Sequence, residues 1–148
     1  MNDIVSQTLT ELVQNVKVRK ISSEEITKAF IDRSNKSKTL NSYITENFSA
    51  ALQKAKKFDE KPNLDLKLPG IPIAVKDLFC TKGVRTTAGS KILNNFTPTY
   101  ESTVTQNMWN DGAILLGKLN CDEFAMGSSN ETSFFGNVTN PFGHKLVP

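Results

Sequence analysis

Ile71-Pro72-Ile73-Ala74-Val75-Lys76 is the stretch that decides the fold: a short, β-branched, apolar run closed by a lysine. It is too short for a helix and suits a buried strand, with Pro72 tolerable near its beginning. The Pro69-Gly70 pair makes a turn before it. Downstream, Ser102 is a plausible N-cap for a helix carrying Val104 and Met108, and Gly112 sits where a left-handed C-terminal residue is needed. Ala113-Ile114-Leu115-Leu116 then reads as a second buried strand. Strand, helix, strand implies a right-handed crossover between parallel strands, hence an α/β sheet.

Upstream of Ile71 the first sixty residues read as helical. Leu9, Leu12, Val13 and Val16 fall at helical spacing, and Ser22-Ser23-Glu24-Glu25 offers a capping box for a helix containing Ile26, Ala29 and Phe30. A third helix follows Leu40–Asn47, with Phe48, Ala51, Leu52 and Ala55 on one face, and Lys61-Pro62-Asn63 ends it. Three one-sided apolar stripes must pack against something. Between the strands, Thr81 to Pro98 is a long loop without helical periodicity, and such loops are often functional. Asp122–Met126 has one short helical possibility, and the rest of the tail to Pro148 reads as loop.

The 38% hydrophobic and 22% charged residues among 148 predict a packed core. A net charge of +3 is weak, and the grouping of Lys54, Lys56, Lys57 and Lys61 is read as a solvated helix face rather than a nucleic-acid patch. No charged start leads into an apolar stretch, and no segment is long and apolar enough to span a membrane, so a cytoplasmic protein without membrane contact is expected. The Asn-x-Ser/Thr triplets at Asn47, Asn95, Asn130 and Asn137 are then chance matches. Cys80 and Cys121 lack metal-ligand spacing and read as reduced, structural thiols.

Gly112-Ala-Ile-Leu-Leu-Gly117-Lys118-Leu119 nearly matches a phosphate-binding loop. Its intervening residues are strand-like, however, and Leu119 replaces the hydroxyl that would hold magnesium. His144 is the only histidine and is read as structural or surface. No zinc-protease or serine-hydrolase motif is present. Lys76 stands out: a lysine closing a buried strand must reach solvent, pair with an acid or lose its charge. Asp77 looks like the partner, yet consecutive strand side chains point to opposite faces, so it should project away.

Leu68-Pro-Gly-Ile-Pro-Ile-Ala-Val-Lys-Asp-Leu78 resembles the lysine motif of the amidase-signature family. Thr86-Thr-Ala-Gly-Ser90, Gly112 to Asn120 and Asp122-Glu-Phe-Ala-Met-Gly-Ser-Ser-Asn-Glu131 resemble its following segments, in the expected order. The resemblance implies an amidase-signature α/β fold: a mixed, largely parallel sheet covered by helices. Residues 1–148 would be the N-terminal part of one such domain, with 1–60 a helical segment and 61–148 the start of the α/β core. It also implies a Ser-cisSer-Lys triad that hydrolyses amides, with the family lysine at Lys76 and a neutral amine relaying the proton. Met126, Gly127 and Ser128 would line the substrate pocket.

Both catalytic serines belong to a Gly/Ser-rich signature expected after the Asn140-Pro141 segment and absent from these residues, so the 148 residues alone are expected to be inactive and poorly stable. Residues 123–133, with Phe135-Gly136 and Asn140-Pro141, are most similar to the tRNA-dependent amidotransferase branch of the family. That implies the glutaminase component of a heterotrimer, working with the B and C subunits, which supplies ammonia for converting misacylated Glu-tRNA(Gln) to Gln-tRNA(Gln). Asp-tRNA(Asn) stays open as a further substrate. ATP and Mg²⁺ would act on a partner chain, with no cofactor or metal in this one. The alternatives are a small-amide amidase of the same family and a non-catalytic truncated remnant.

Overall fold

A computed structural model describes residues 3–143 and 145–148; His144 lies outside the described residues. The chain forms α1 (Leu9–Lys17), α2 (Ser23–Lys36), β1 (Tyr43–Glu46), α3 (Phe48–Glu60), β2 (Pro72–Lys76), α4 (Thr103–Asn110) and β3 (Ile114–Leu119), with short 3-10 turns at Ile4–Ser6, Lys38–Leu40 and Glu123–Ala125. The strand order is β1-β3-β2. Ile114 N donates to Ile71 O and Asp77 N to Leu119 O, each at 2.9 Å. The partner numbers rise together, so β2 and β3 run parallel, as the strand-helix-strand reading requires. β1 pairs antiparallel with β3, which makes the sheet mixed.

β1 is the departure from the helical reading of the first sixty residues. Tyr43-Ile44-Thr45-Glu46 is β-branched and aromatic, but four residues make a strand only where another strand offers backbone partners. Here Tyr43 opposes Leu119 and Glu46 opposes Gly117. β3 itself extends to Leu119, three residues beyond the expected end, and everything in it except Leu119 is buried.

The chain divides into two compact units, each made of three separate stretches of sequence. The first holds residues 1–36, 47–73 and 107–116. Its core gathers Leu12 and Val16 of α1, Ile26 of α2 and Ile71, with Phe30, Phe58, Leu64 and Leu68 packed around them. Burying each such side chain stabilises by about 1.5–3 kcal/mol. The capping box is real: Ser22 N donates to Glu25 Oε2 at 2.8 Å and Glu25 N to Ser22 Oγ at 3.1 Å. A long-range cap adds to it, because Asp59 of α3 accepts from Ser23 N at 2.9 Å and Glu24 N at 2.8 Å. A carboxylate there satisfies two of the amide donors that a helix start leaves open. α1 has its own capping box between Thr8 and Glu11.

The second unit holds residues 37–46, 74–106 and 117–148. Little of it is regular, and side chains tie its loops together. Arg85 donates to Ile44 O at 2.8 Å, Thr45 Oγ1 at 3.1 Å and Asn94 Oδ1 at 3.1 Å. Asn41 donates to Phe135 O at 2.9 Å, and Asn120 to Gly136 O at 2.9 Å, so the tail is pinned although it lacks secondary structure. Ser102 caps α4 through Thr105 N at 3.3 Å, and Gly112 has φ +96°, the conformation that its place after the helix demands. No described helix is long and apolar enough to cross a membrane.

Candidate active site

Lys76 ends β2 on the exposed side of the strand. Read from the sequence, it is a buried charge. Within these 148 residues its strand is buried at Pro72 and Val75 while Lys76 itself is exposed, and no acid among the described residues pairs with it. It lines a cleft of about 480 Å³ together with Ser42, Asn120, Cys121, Gly127 and Ser128 among others. Lys76, Gly127 and Ser128 thus line one and the same cleft. Met126 does not line it: its side chain is 82% exposed and the cleft is bounded by the residues on either side of the turn.

The loop that supplies Gly127 and Ser128 is folded around one carboxylate. Asp122 accepts from Asn130 N at 2.9 Å, Thr132 N at 3.1 Å and Thr132 Oγ1 at 2.9 Å. The backbone amides of Asn130 and Thr132 hold its carboxyl below the usual aspartate range, against the opposing effect of burial. A Cβ on Gly127 would stand 2.5 Å from the Asp122 carboxylate, so only glycine lets the chain turn that closely. Phe124, Ala125 and Asn130 all adopt left-handed backbone, at φ 51°, 58° and 58°. Non-glycine residues in that region cost on the order of 1–2 kcal/mol each. Such strain is found where a loop is held to a shape by its contacts. It also explains why Asp122–Met126 is a kinked 3-10 turn rather than a helix.

Asp77 behaves as strand alternation requires. It turns away from Lys76, is fully buried, and meets Lys118, whose ammonium lies 3.4 Å from Asp77 Oδ1. Thr87 donates to Asp77 Oδ2 through its N at 2.8 Å and its Oγ1 at 2.5 Å. Lys118 is equally buried and donates to Phe79 O and Thr86 Oγ1, both at 2.7 Å. Burial pushes the Lys118 ammonium below the ordinary lysine range, and Asp77 opposes that shift. Sequence reasoning missed this pair. The available signal was the strand itself: continuing Ala113–Leu116 by two residues puts Lys118 on the face of Leu116, where an unpaired charge could not stay. The rejected phosphate loop is thus a buried strand whose lysine serves an internal ion pair.

Cys121 also lines the cleft, and burial pushes its thiol up. Both cysteines are free. Among the described residues no cluster of His, Cys, Asp and Glu side chains comes together as a metal site.

The amidase family model matches residues 25–148, and the chain belongs to that family. Among individual relatives it is 78% identical, over all of its 148 residues, to the A subunit of glutamyl-tRNA(Gln) amidotransferase of Pelagibacter ubique (strain HTCC1062), covering 30% of that protein. It is 52% identical to the protein of the same name from Hyphomonas neptunium (strain ATCC 15444), over 98% of this chain and 30% of the relative. The chain therefore spans about 30% of the length of the curated relatives it matches. The crystal structure of the A subunit of glutamyl-tRNA(Gln) amidotransferase from Thermotoga maritima superposes with a TM-score of 0.75 at 30% identity, over 100% of this chain and 30% of that one. A bacterial aryl acylamidase of the amidase-signature family gives 0.85 at 25% identity, over 95% of this chain and 30% of that one.

Proposed function

We propose that these residues form the lysine-bearing portion of the glutaminase component of a tRNA-dependent amidotransferase. The observation that carries the reading is the 78% identity, along the whole chain, to a protein named as the A subunit of such an enzyme. The placement of Lys76 in one cleft with Gly127 and Ser128 supports it. In this reading Lys76 takes a proton from the nucleophile's hydroxyl chain and returns it to the departing ammonia, while the 122–132 loop shapes the wall against which glutamine lies. Residues outside this chain supply the nucleophilic serine and the cis-serine between them. The ammonia passes to the B subunit, which together with the C subunit converts misacylated Glu-tRNA(Gln) using ATP and Mg²⁺. In this reading the nucleotide acts on the partner chain.

A small-amide amidase is the second reading, favoured by the closer superposition on the aryl acylamidase, 0.85 against 0.75. Backbone likeness across a family reports the fold, whereas substrate choice lies in particular side chains, so the sequence identity weighs more. The deciding experiment measures ammonia release by the full-length protein from glutamine and from simple aliphatic and aryl amides, with Lys76→Ala as control. Glutamine turnover lost in the variant is the expected result. Hydrolysis of simple amides with glutamine untouched overturns the proposal.

A further inference from the structure

Among the described residues the Lys76 ammonium makes no hydrogen bond or salt bridge, and in the proposed reading the serines it works with come from residues outside this chain. A lysine has four rotatable carbons, so an amine that must transfer a proton at a defined point needs at least a fixed backbone origin. That origin is fixed from the next residue. Asp77 N donates to Leu119 O and Asp77 O accepts from Ala88 N, each at 2.9 Å. Its carboxylate is bound by Thr87 and by Lys118, and Lys118 is in turn bound by Phe79 O and Thr86 Oγ1. Four segments, β2, the turn at Phe79, the Thr86–Ala88 loop and β3, are thereby tied to one buried point on the face opposite Lys76.

A buried ion pair is a poor way to gain stability, because desolvating two charges offsets most of their attraction. Its geometric effect is different in kind. With Asp77 locked inward, alternation leaves Lys76 only the cleft side of the strand, and a slip or twist of β2 would expose a charge or bury one. We propose that the buried Asp77–Lys118 pair, completed by Thr86 and Thr87, is a positioning device that sets where Lys76 enters the cleft. The pair touches no substrate and acts only through the backbone between residues 76 and 77. This inference rests on the reading of Lys76 as the proton-transferring group.

The test uses the full-length protein assayed for ammonia release from glutamine. Thr87→Val removes the hydroxyl that binds Asp77 Oδ2 while nearly keeping the side chain's volume, and Asp77→Asn removes the charge at constant shape. Both are expected to lower kcat by roughly 10- to 100-fold with little change in KM, the effect of a displaced catalytic group on an intact binding site. Thr87→Ser, which keeps the hydroxyl, is expected to restore most of the loss. Folded variants with wild-type kcat overturn the proposal, as does a Thr87→Val defect that Thr87→Ser does not repair. Where Asp77→Asn fails to fold, the Thr87 series decides.

Failure of the underlying reading looks different: Lys76→Ala would then leave ammonia release intact. In that case, acylation of Lys76 by an amine-reactive ester, normalised to the exposed Lys67, is compared between wild type and Thr87→Val. A changed ratio supports positioning, and an unchanged one refutes it.

Discussion

Replacing Lys118 by Met tests the interior of the second unit most directly. Met fills most of the lysine's length, so the cavity left behind is small, and the perturbation is the loss of one charge and three polar contacts. Those contacts are Asp77 Oδ1 at 3.4 Å, Phe79 O at 2.7 Å and Thr86 Oγ1 at 2.7 Å. Asp77 Oδ1 makes no hydrogen bond even in the intact protein, so Lys118 is the only cation compensating that oxygen within the described residues. Removing one member of a buried pair and stranding the other costs about 3–5 kcal/mol. Local opening of the segment becomes correspondingly easier, by roughly two to three and a half orders of magnitude at 1.4 kcal/mol per decade. Hydrogen exchange of the full-length protein reads this at the Thr87 and Ala88 amides, which donate to the Asp77 side chain and carbonyl. The double variant Lys118→Met/Asp77→Asn removes both charges and is expected to recover more than half of the lost protection. Exchange at Thr87 and Ala88 that is unchanged in the single variant, or equally fast in single and double variants, would refute this account of the pair.

Two further predictions concern the loops around the cleft. Because its folded pKa is lowered from 3.8, Asp122 contributes stability above the ordinary aspartate range, and that contribution is lost as pH falls from about there through the folded value. Acid titration of exchange at the Asn130 and Thr132 amides should therefore show a loss of protection below about pH 4 that Asp122→Asn abolishes; coincident wild-type and variant curves would count against it. Gly89 has φ +67°, and a Cβ there would stand 2.5 Å from Cys121 O. Gly89→Ala is expected to cost at least about 1–2 kcal/mol for the backbone conformation alone, more with the clash, and to appear as a lower Tm in thermal denaturation.

The charge at the end of β2 illustrates how sequence and fold share the decision. Lys76 and Asp77 are adjacent and opposite in charge, and a reading by proximity pairs them. Strand geometry forbids it, and the acid instead meets a lysine 41 positions further along the chain. The two lysines thereby divide the work, with Lys118 neutralised inside and Lys76 left for the cleft.

Apolar spacing, the Ser22–Glu25 box, Pro69-Gly70 and the β-branched run after it determined the helices and the parallel strand pair, because each signal acts within a few residues. The ordered motifs pointed to Lys76, Met126, Gly127 and Ser128 on the same local terms. Tertiary structure alone decided the rest. Four residues at Tyr43–Glu46 become a strand because β3 is there to bond them. Lys118 is tolerated inside because Asp77 and Thr86 arrive from other segments. Met126 turns outward because the loop closes on the Asp122 carboxylate. In each case the deciding partner is distant in the chain, and no local pattern records it.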